Sequence, residues 1–344
     1  MFRGPVRLER TVITLPDGHR VGVAMGGRGM PFVLVHGFGT EARVYSESLT
    51  RVAALGFRVV AIDAAGHGST QHIPGDEATL DDVADLVART LDDLGIERAV
   101  LAGHSMGGRL VAEVAAKDPD RAIALILIDA ILGESWDRRL RALVESPQRH
   151  ARFWADFALD SIATVPFDLA RLVALGRRSA RSVATHVTRP WLSVRAGWAV
   201  VRARPSVETL ADLARARVPV VHVHGDRDLI VPLASAREAA TRSGGDLVVI
   251  EGARHSWLLR CHETLPSVVA DLMHTTLGAA CARLLGDAGL DSKRATIDDV
   301  ERVCYVPGAR VLTLNRHADH TRLRKGGTPL YRWRRSTPSP SHAA

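Results

Sequence analysis

The chain has 344 residues, 46% of them hydrophobic and 24% charged, with a formal net charge of +7. These values are ordinary for a soluble globular protein with room for one large domain plus an insertion or tail. The opening MFRGPVRLER lacks the apolar stretch of a secretory signal, and the longest strongly apolar run, residues 122–132, is broken by Asp129 and too short for a bilayer.

A cytoplasmic protein, at most peripheral at a membrane, is therefore expected. Cys261, Cys281 and Cys304 are odd in number and widely spaced, which fits neither a disulfide framework nor a zinc cluster. No metal and no cofactor is expected.

Apolar runs at 10–15 and 20–24, separated by Pro16-Asp17-Gly18, predict an antiparallel hairpin at a sheet edge. Further strands are predicted at 31–36, 58–63, 99–104, 123–130, 219–224 and 246–251. Several are almost continuously hydrophobic, as parallel strands covered on both faces are. Amphipathic stretches lie between them. The one at 79–94 is opened by Thr79 with Asp82 three residues on, and the one at 106–116 is closed by Asp118-Pro119. This alternation predicts an α/β fold, a doubly wound, mostly parallel eight-stranded sheet.

Between the strands at 123–130 and 219–224, almost ninety residues carry helical periodicity and no strand signal. Four of the six tryptophans fall there: Trp136, Trp154, Trp191 and Trp198. The reading is a helical cap at 133–205 inserted into a core of residues 1–132 and 206–280. A basic C-terminal extension follows at 281–344, partly disordered, with a helix at 296–303 and a strand at 310–314.

The charge is concentrated. Residues 133–205 hold 13 Arg and no Lys against 6 acids, and residues 276–344 hold 12 Lys plus Arg against 6 acids. Residues 316–335 also carry Tyr331 and Trp333. Such segments suit either a solvated face or weak contact with an anionic membrane surface, through the cap or the tail. No nucleic-acid module surrounds them, and nucleic acid is not an expected partner.

The chemistry-bearing signal is Gly103-His104-Ser105-Met106-Gly107, a G-x-S-x-G pattern between a predicted strand and a predicted helix. In that setting Gly103 and Gly107 let the chain turn sharply, and Ser105 is held strained with its hydroxyl projecting. A serine hydroxyl needs a positioned base to act as a nucleophile. Asp228, in Gly225-Asp226-Arg227-Asp228, and His255, in Gly252-Ala253-Arg254-His255, both follow predicted strands, where ligands bind in open α/β sheets. His255 would move the Ser105 proton, and Asp228 would fix the imidazole. Asp226 and Asp129 are the alternative acids. The oxyanion donors would be the backbone N–H groups of Met106 and Phe38, the latter in a loop shaped by His36 and Gly37.

Together, HGFG at 36–39, DAAGHGST at 63–70, GHSMGG at 103–108, GDRDLIVP at 225–232 and GARH at 252–255 resemble the α/β-hydrolase fold superfamily, in its serine esterase and lipase-like branch. The resemblance spans about residues 8–275. It implies a cofactor-free esterase, lipase or related acyl-cleaving enzyme. Phe153, Trp154 and Phe157 in the predicted cap suggest an apolar pocket, so the expectation is cleavage of a carboxylic ester with a hydrophobic acyl group through an acyl-enzyme on Ser105. Acyl transfer, thioester hydrolysis or carbon–carbon bond hydrolysis would use the same residues, and a non-catalytic binding protein is a further alternative. Serine rather than aspartate at position 105 departs from haloalkane dehalogenases and epoxide hydrolases. Ala65 and Thr70 stand where many members have Pro and Ser.

Overall fold

The computed structural model describes residues 7–75, 78–164, 189–314 and 331–336, with scattered positions between 165 and 188. Its nine strands are β1 (Glu9–Thr14), β2 (Arg20–Gly26), β3 (Met30–Val35), β4 (Phe57–Ile62), β5 (Ala99–His104), β6 (Ala122–Ile128), β7 (Val220–Gly225), β8 (Asp246–Ile250) and β9 (Trp333–Ser336). They form one sheet in the order β1-β2-β4-β3-β5-β6-β7-β8-β9. The six strands from β4 to β8 in that order run parallel, and β1, β2 and β9 are antiparallel to their neighbours. Eight strands lie within a few residues of their predicted positions.

The central strands are buried along their whole length, because helices cover both faces. One covering helix, α2 (Leu80–Leu94), begins with a capping box in which the Thr79 side chain accepts from the Asp82 N–H while the Asp82 carboxylate accepts from the Thr79 N–H. The helix ends at Gly95, whose left-handed φ of 72° completes the terminal turn. Between β6 and β7 come α4 (Glu134–Glu145), α5 (Pro147–Thr164), α6 (Pro190–Val201) and α7 (Ser206–Arg215), with no strand among the described residues of the interval. The three cysteines are buried and form no disulfide with one another. No single described helix is long and apolar enough to cross a membrane.

The C-terminal region departs most from its reading. The helix Thr276–Asp287 runs through the boundary drawn at residue 280. The segment at 310–314, read as a strand for its apolar run, is a helix, while β9 was not foreseen at all. The latter's sequence, Trp-Arg-Arg-Ser, has no apolar periodicity. Its pairing with β8 is carried by backbone hydrogen bonds, and arginines on an edge strand discourage further pairing.

The helix Ile297–Cys304 packs back on the N-terminal half. Glu301 accepts from Arg58 at 2.9 Å, Arg28 at 3.2 Å and the Gly29 N–H at 3.1 Å, while Tyr305 donates to the Gly29 carbonyl at 2.9 Å. Arg58 is buried, and Glu301 is its one anionic partner among the described residues. Breaking a buried pair strands the remaining charge. Glu301→Ala is therefore expected to lower unfolding stability by about 3 kcal/mol, with an unchanged slope in urea titration. A loss near zero would mean that the C-terminal helix adds nothing to the fold.

Candidate active site

At the end of β5 the backbone reverses into α3 (Met106–Lys117) through Ser105, whose φ of 54° and ψ of −116° lie in a region L-residues avoid. Two glycines make room for the turn. A β-carbon on Gly103 would stand 2.3 Å from the Gly107 carbonyl oxygen, and one on Gly107 would stand 2.1 Å from the Val35 oxygen. The Ser105 N–H is tied to the Ile128 carbonyl at 2.8 Å. As the first residue of α3, Met106 offers an N–H without an acceptor inside the helix.

The loop after β3 lies against this turn. A β-carbon on Gly37 would fall 2.8 Å from His104 Nδ1 and 3.3 Å from Ser105 Cβ, so any larger residue would push the loop off the serine. His36 holds the loop from behind. Its Nε2 accepts from the Ala64 N–H at 2.9 Å, which leaves Nδ1 to carry the proton and donate to the Gly37 carbonyl at 2.8 Å. Phe38 follows, its ring edge-on to His67. The predicted residues His36, Gly37, Phe38, Gly103, Ser105, Met106 and Gly107 thus occupy one corner of the sheet. Asp63, the first residue of the DAAGHGST motif, is a buried brace that accepts from the Ala42 and Ser69 N–H groups and from Arg10.

His255 arrives on the loop after β8. Its Nδ1 lies 2.7 Å from Asp228 Oδ2, and Asp228 Oδ1 accepts from the N–H groups of Ile230 at 2.7 Å and Val231 at 2.9 Å. Burial works against charge on the imidazole, but Asp228, with Asp129 and Asp160 behind it, prevails and raises its pKa to about 9. Burial also opposes charge on Asp228, yet His255 and the backbone donors hold its pKa below the ordinary carboxylate value. The two alternative acids are engaged elsewhere. Asp129 accepts from the Gly225 N–H at 2.8 Å and from Trp257 Nε1 at 2.7 Å, and Asp226 accepts from the Gly252 N–H at 2.7 Å.

Asp129, His224 and Asp228 converge closely enough to suggest a metal cage, and all three are buried. However, both oxygens of each carboxylate already accept hydrogen bonds, and His224 Nε2 donates to the Val231 carbonyl at 2.9 Å. The donor set is spent on the protein itself.

Three residues of the site escaped sequence reasoning. His104 Nε2 donates to the His255 carbonyl at 2.9 Å, so its Nδ1 accepts from the Tyr45 hydroxyl at 2.8 Å. Burial pushes the His104 pKa down to about 3 and keeps the ring neutral. The Tyr45 hydroxyl also accepts from the Gly37 N–H at 3.3 Å. A continuous chain of hydrogen bonds therefore joins the loop after β3 to His255, passing beside Ser105. The third residue, Asp160 on α5, accepts from the backbone N–H of His255 at 3.0 Å and of Ser256 at 3.3 Å. The only sequence signal for His104 was its place inside the G-x-S-x-G pattern, and Asp160 had none.

A nine-stranded, mostly parallel sheet with a strained serine between β5 and α3, and a histidine–aspartate pair on the loops beyond β8 and β7, defines an enzyme of the serine-hydrolase type. Residues 31–260 match the family model described as serine aminopeptidase, S33, and the chain belongs to this family within the α/β-hydrolase superfamily. A haloperoxidase-type, non-heme protein of Mycobacterium phage D29 is 33% identical over 273 residues, covering 78% of this chain and 95% of the relative. The pimeloyl-acyl-carrier-protein methyl ester esterase of Aromatoleum aromaticum is 31% identical over 234 residues, covering 61% of this chain and 84% of the relative. The solved structure of a bacterial membrane phospholipase A shares the fold, with a TM-score of 0.61 at 21% identity over 78% of this chain and 86% of that one.

Asp160 faces a histidine whose positive charge it helps to stabilise. Asp160→Asn is therefore expected to move the titration midpoint of the His255 imidazole downward from about 9, read by NMR of the ring protons. An unchanged midpoint would leave Asp160 with a purely structural part.

Proposed function

We propose that the protein hydrolyses carboxylic esters with a hydrophobic acyl group, through an acyl-enzyme on Ser105. The observation that carries this reading is the strained Ser105 turn set beside His104, whose ring lies 5.0 Å centroid to centroid from that of His255, while His255 is bonded to Asp228. In this mechanism the neutral form of His255, whose share grows as pH rises toward about 9, takes the Ser105 proton through Nε2 as the hydroxyl attacks the ester carbonyl, and returns it to the departing alcohol. Asp228 fixes Nδ1–H toward itself and stabilises the imidazolium as it forms. The N–H groups of Met106 and Phe38 meet the oxyanion. Water, activated by the same histidine, then releases the acid and restores Ser105.

The acyl preference follows from the inserted helices, which act here as a cap. Asp160 lies against the His255 backbone, so its face of α5 is turned toward the site. Phe157 and Phe153, three and seven residues earlier, share that face and are half-buried. An apolar surface placed there favours an apolar acyl chain. The relative named as a methyl ester esterase supports ester cleavage.

Ser105→Ala is expected to lower turnover of an acyl-p-nitrophenyl ester by a factor of about 10³ or more and to abolish labelling by a fluorophosphonate probe, with the melting temperature little changed. Near-native turnover by this variant would overturn the mechanism.

A further inference from the structure

The outer side of α6 (Pro190–Val201) is built against the usual rule for a helix at the surface. Trp191, Val194 and Trp198 recur at spacings of three and four and so form one stripe. All three face solvent, at 55%, 58% and 49% exposure, and Val187, ahead of the helix, is exposed as well. The stripe spans roughly 10 Å along the helix axis. It is not the helix's core face turned outward, because the other side is already docked. There Leu192 lies against Gly66, Arg195 donates to the carbonyls of Ile73, at 3.1 Å, and Gly75, and Ala199 is buried. The helix α5 adds exposed Trp154 and Leu159 to the same insert.

Water-exposed tryptophans at this spacing call for an occupant that takes an apolar body and a polar edge together. The charge around them selects it. The exposed guanidinium of Arg202 stands 5.5 Å from the Trp198 ring centroid at one end of the stripe, and exposed Arg189 precedes Trp191 at the other. The insert as a whole carries 13 Arg and no Lys against 6 acids. Indole rings settle at the boundary between headgroups and acyl chains, and a helix with such a face flanked by basic residues can lie in the plane of that boundary.

We propose that α6 is a docking face for an anionic lipid bilayer, with Trp191 and Trp198 entering the interface and Arg189 and Arg202 meeting the headgroups. The inner side of the same helix holds the loop at 66–75, which follows β4 on the carboxyl side of the sheet. Docking would therefore bring that side of the molecule to the lipid surface. The inference rests on exposure and charge, and stands or falls apart from the ester reaction.

The test is co-sedimentation of the full chain with vesicles of phosphatidylglycerol and phosphatidylcholine, and with phosphatidylcholine alone. The native protein should pellet with the anionic vesicles and release at high salt. Trp191→Ser combined with Trp198→Ser should weaken that binding at least about tenfold, with the melting temperature and the turnover of a short soluble ester unchanged. Arg189→Gln combined with Arg202→Gln should weaken it by about tenfold as well and flatten the salt dependence. Three results would overturn the proposal: no pelleting of the native protein with anionic vesicles, equal pelleting of native and double-tryptophan protein, or a native dimer in light scattering that the tryptophan substitutions convert to monomer. The last would give the stripe to a second copy of the chain.

Discussion

The carbonyl oxygens of Val35 and Gly107 occupy the space that side chains at positions 107 and 103 would need. That steric constraint is the one on which the arrangement depends. It draws the end of β3, the end of β5 and the first turn of α3 closer than any residue but glycine permits, and it forces the strain at Ser105. Because β3 and β5 are hydrogen-bonded neighbours, the loops that leave them emerge side by side. The approach of Gly37 to His104 and Ser105 repeats the same device one layer above. Strain at a single residue persists only where surrounding structure over-determines it, and here two strands and a helix do so.

Around that corner the protein keeps three buried carboxylates within reach of one imidazole and separates their roles by their partners. Asp228 accepts from the imidazole itself and from two backbone donors, and it stays ionised. Asp129, which accepts from the Gly225 N–H and from Trp257 but not from the imidazole, is pushed the other way by burial and by its neighbour Asp228. Asp160 approaches from the inserted helices and binds the backbone of the histidine rather than its ring. Trp257 in turn packs edge-on to Tyr331, ahead of β9. The electrostatics of the site are thus coupled to segments that join the core from both the insertion and the C-terminal end.

Those couplings mark the limit of what the sequence discloses. Eight strands were legible because burial on both faces writes itself as apolar runs, and the serine turn was legible because glycine has few substitutes there. His36, Gly37, His255 and Asp228 were legible through the motifs around them. β9 was not, since an edge strand held by backbone pairing needs no apolar pattern. The helix Arg310–Leu314 was misread because a five-residue apolar run carries no period that separates the two structures. His104, Tyr45 and Asp160 act through hydrogen bonds that span 151, 59 and 95 positions along the chain. Local pattern cannot encode partners so remote.

The ninth strand has a consequence for the order of assembly. A chain emerging from the ribosome presents β8, with its unpaired outer edge, long before residues 333–336 have been made. Until they arrive, the strand that leads into the His255 loop is an open template for pairing with other chains. Completion of the sheet therefore waits for residues 333–336, and nascent chains stalled before they emerge will be prone to aggregate through β8.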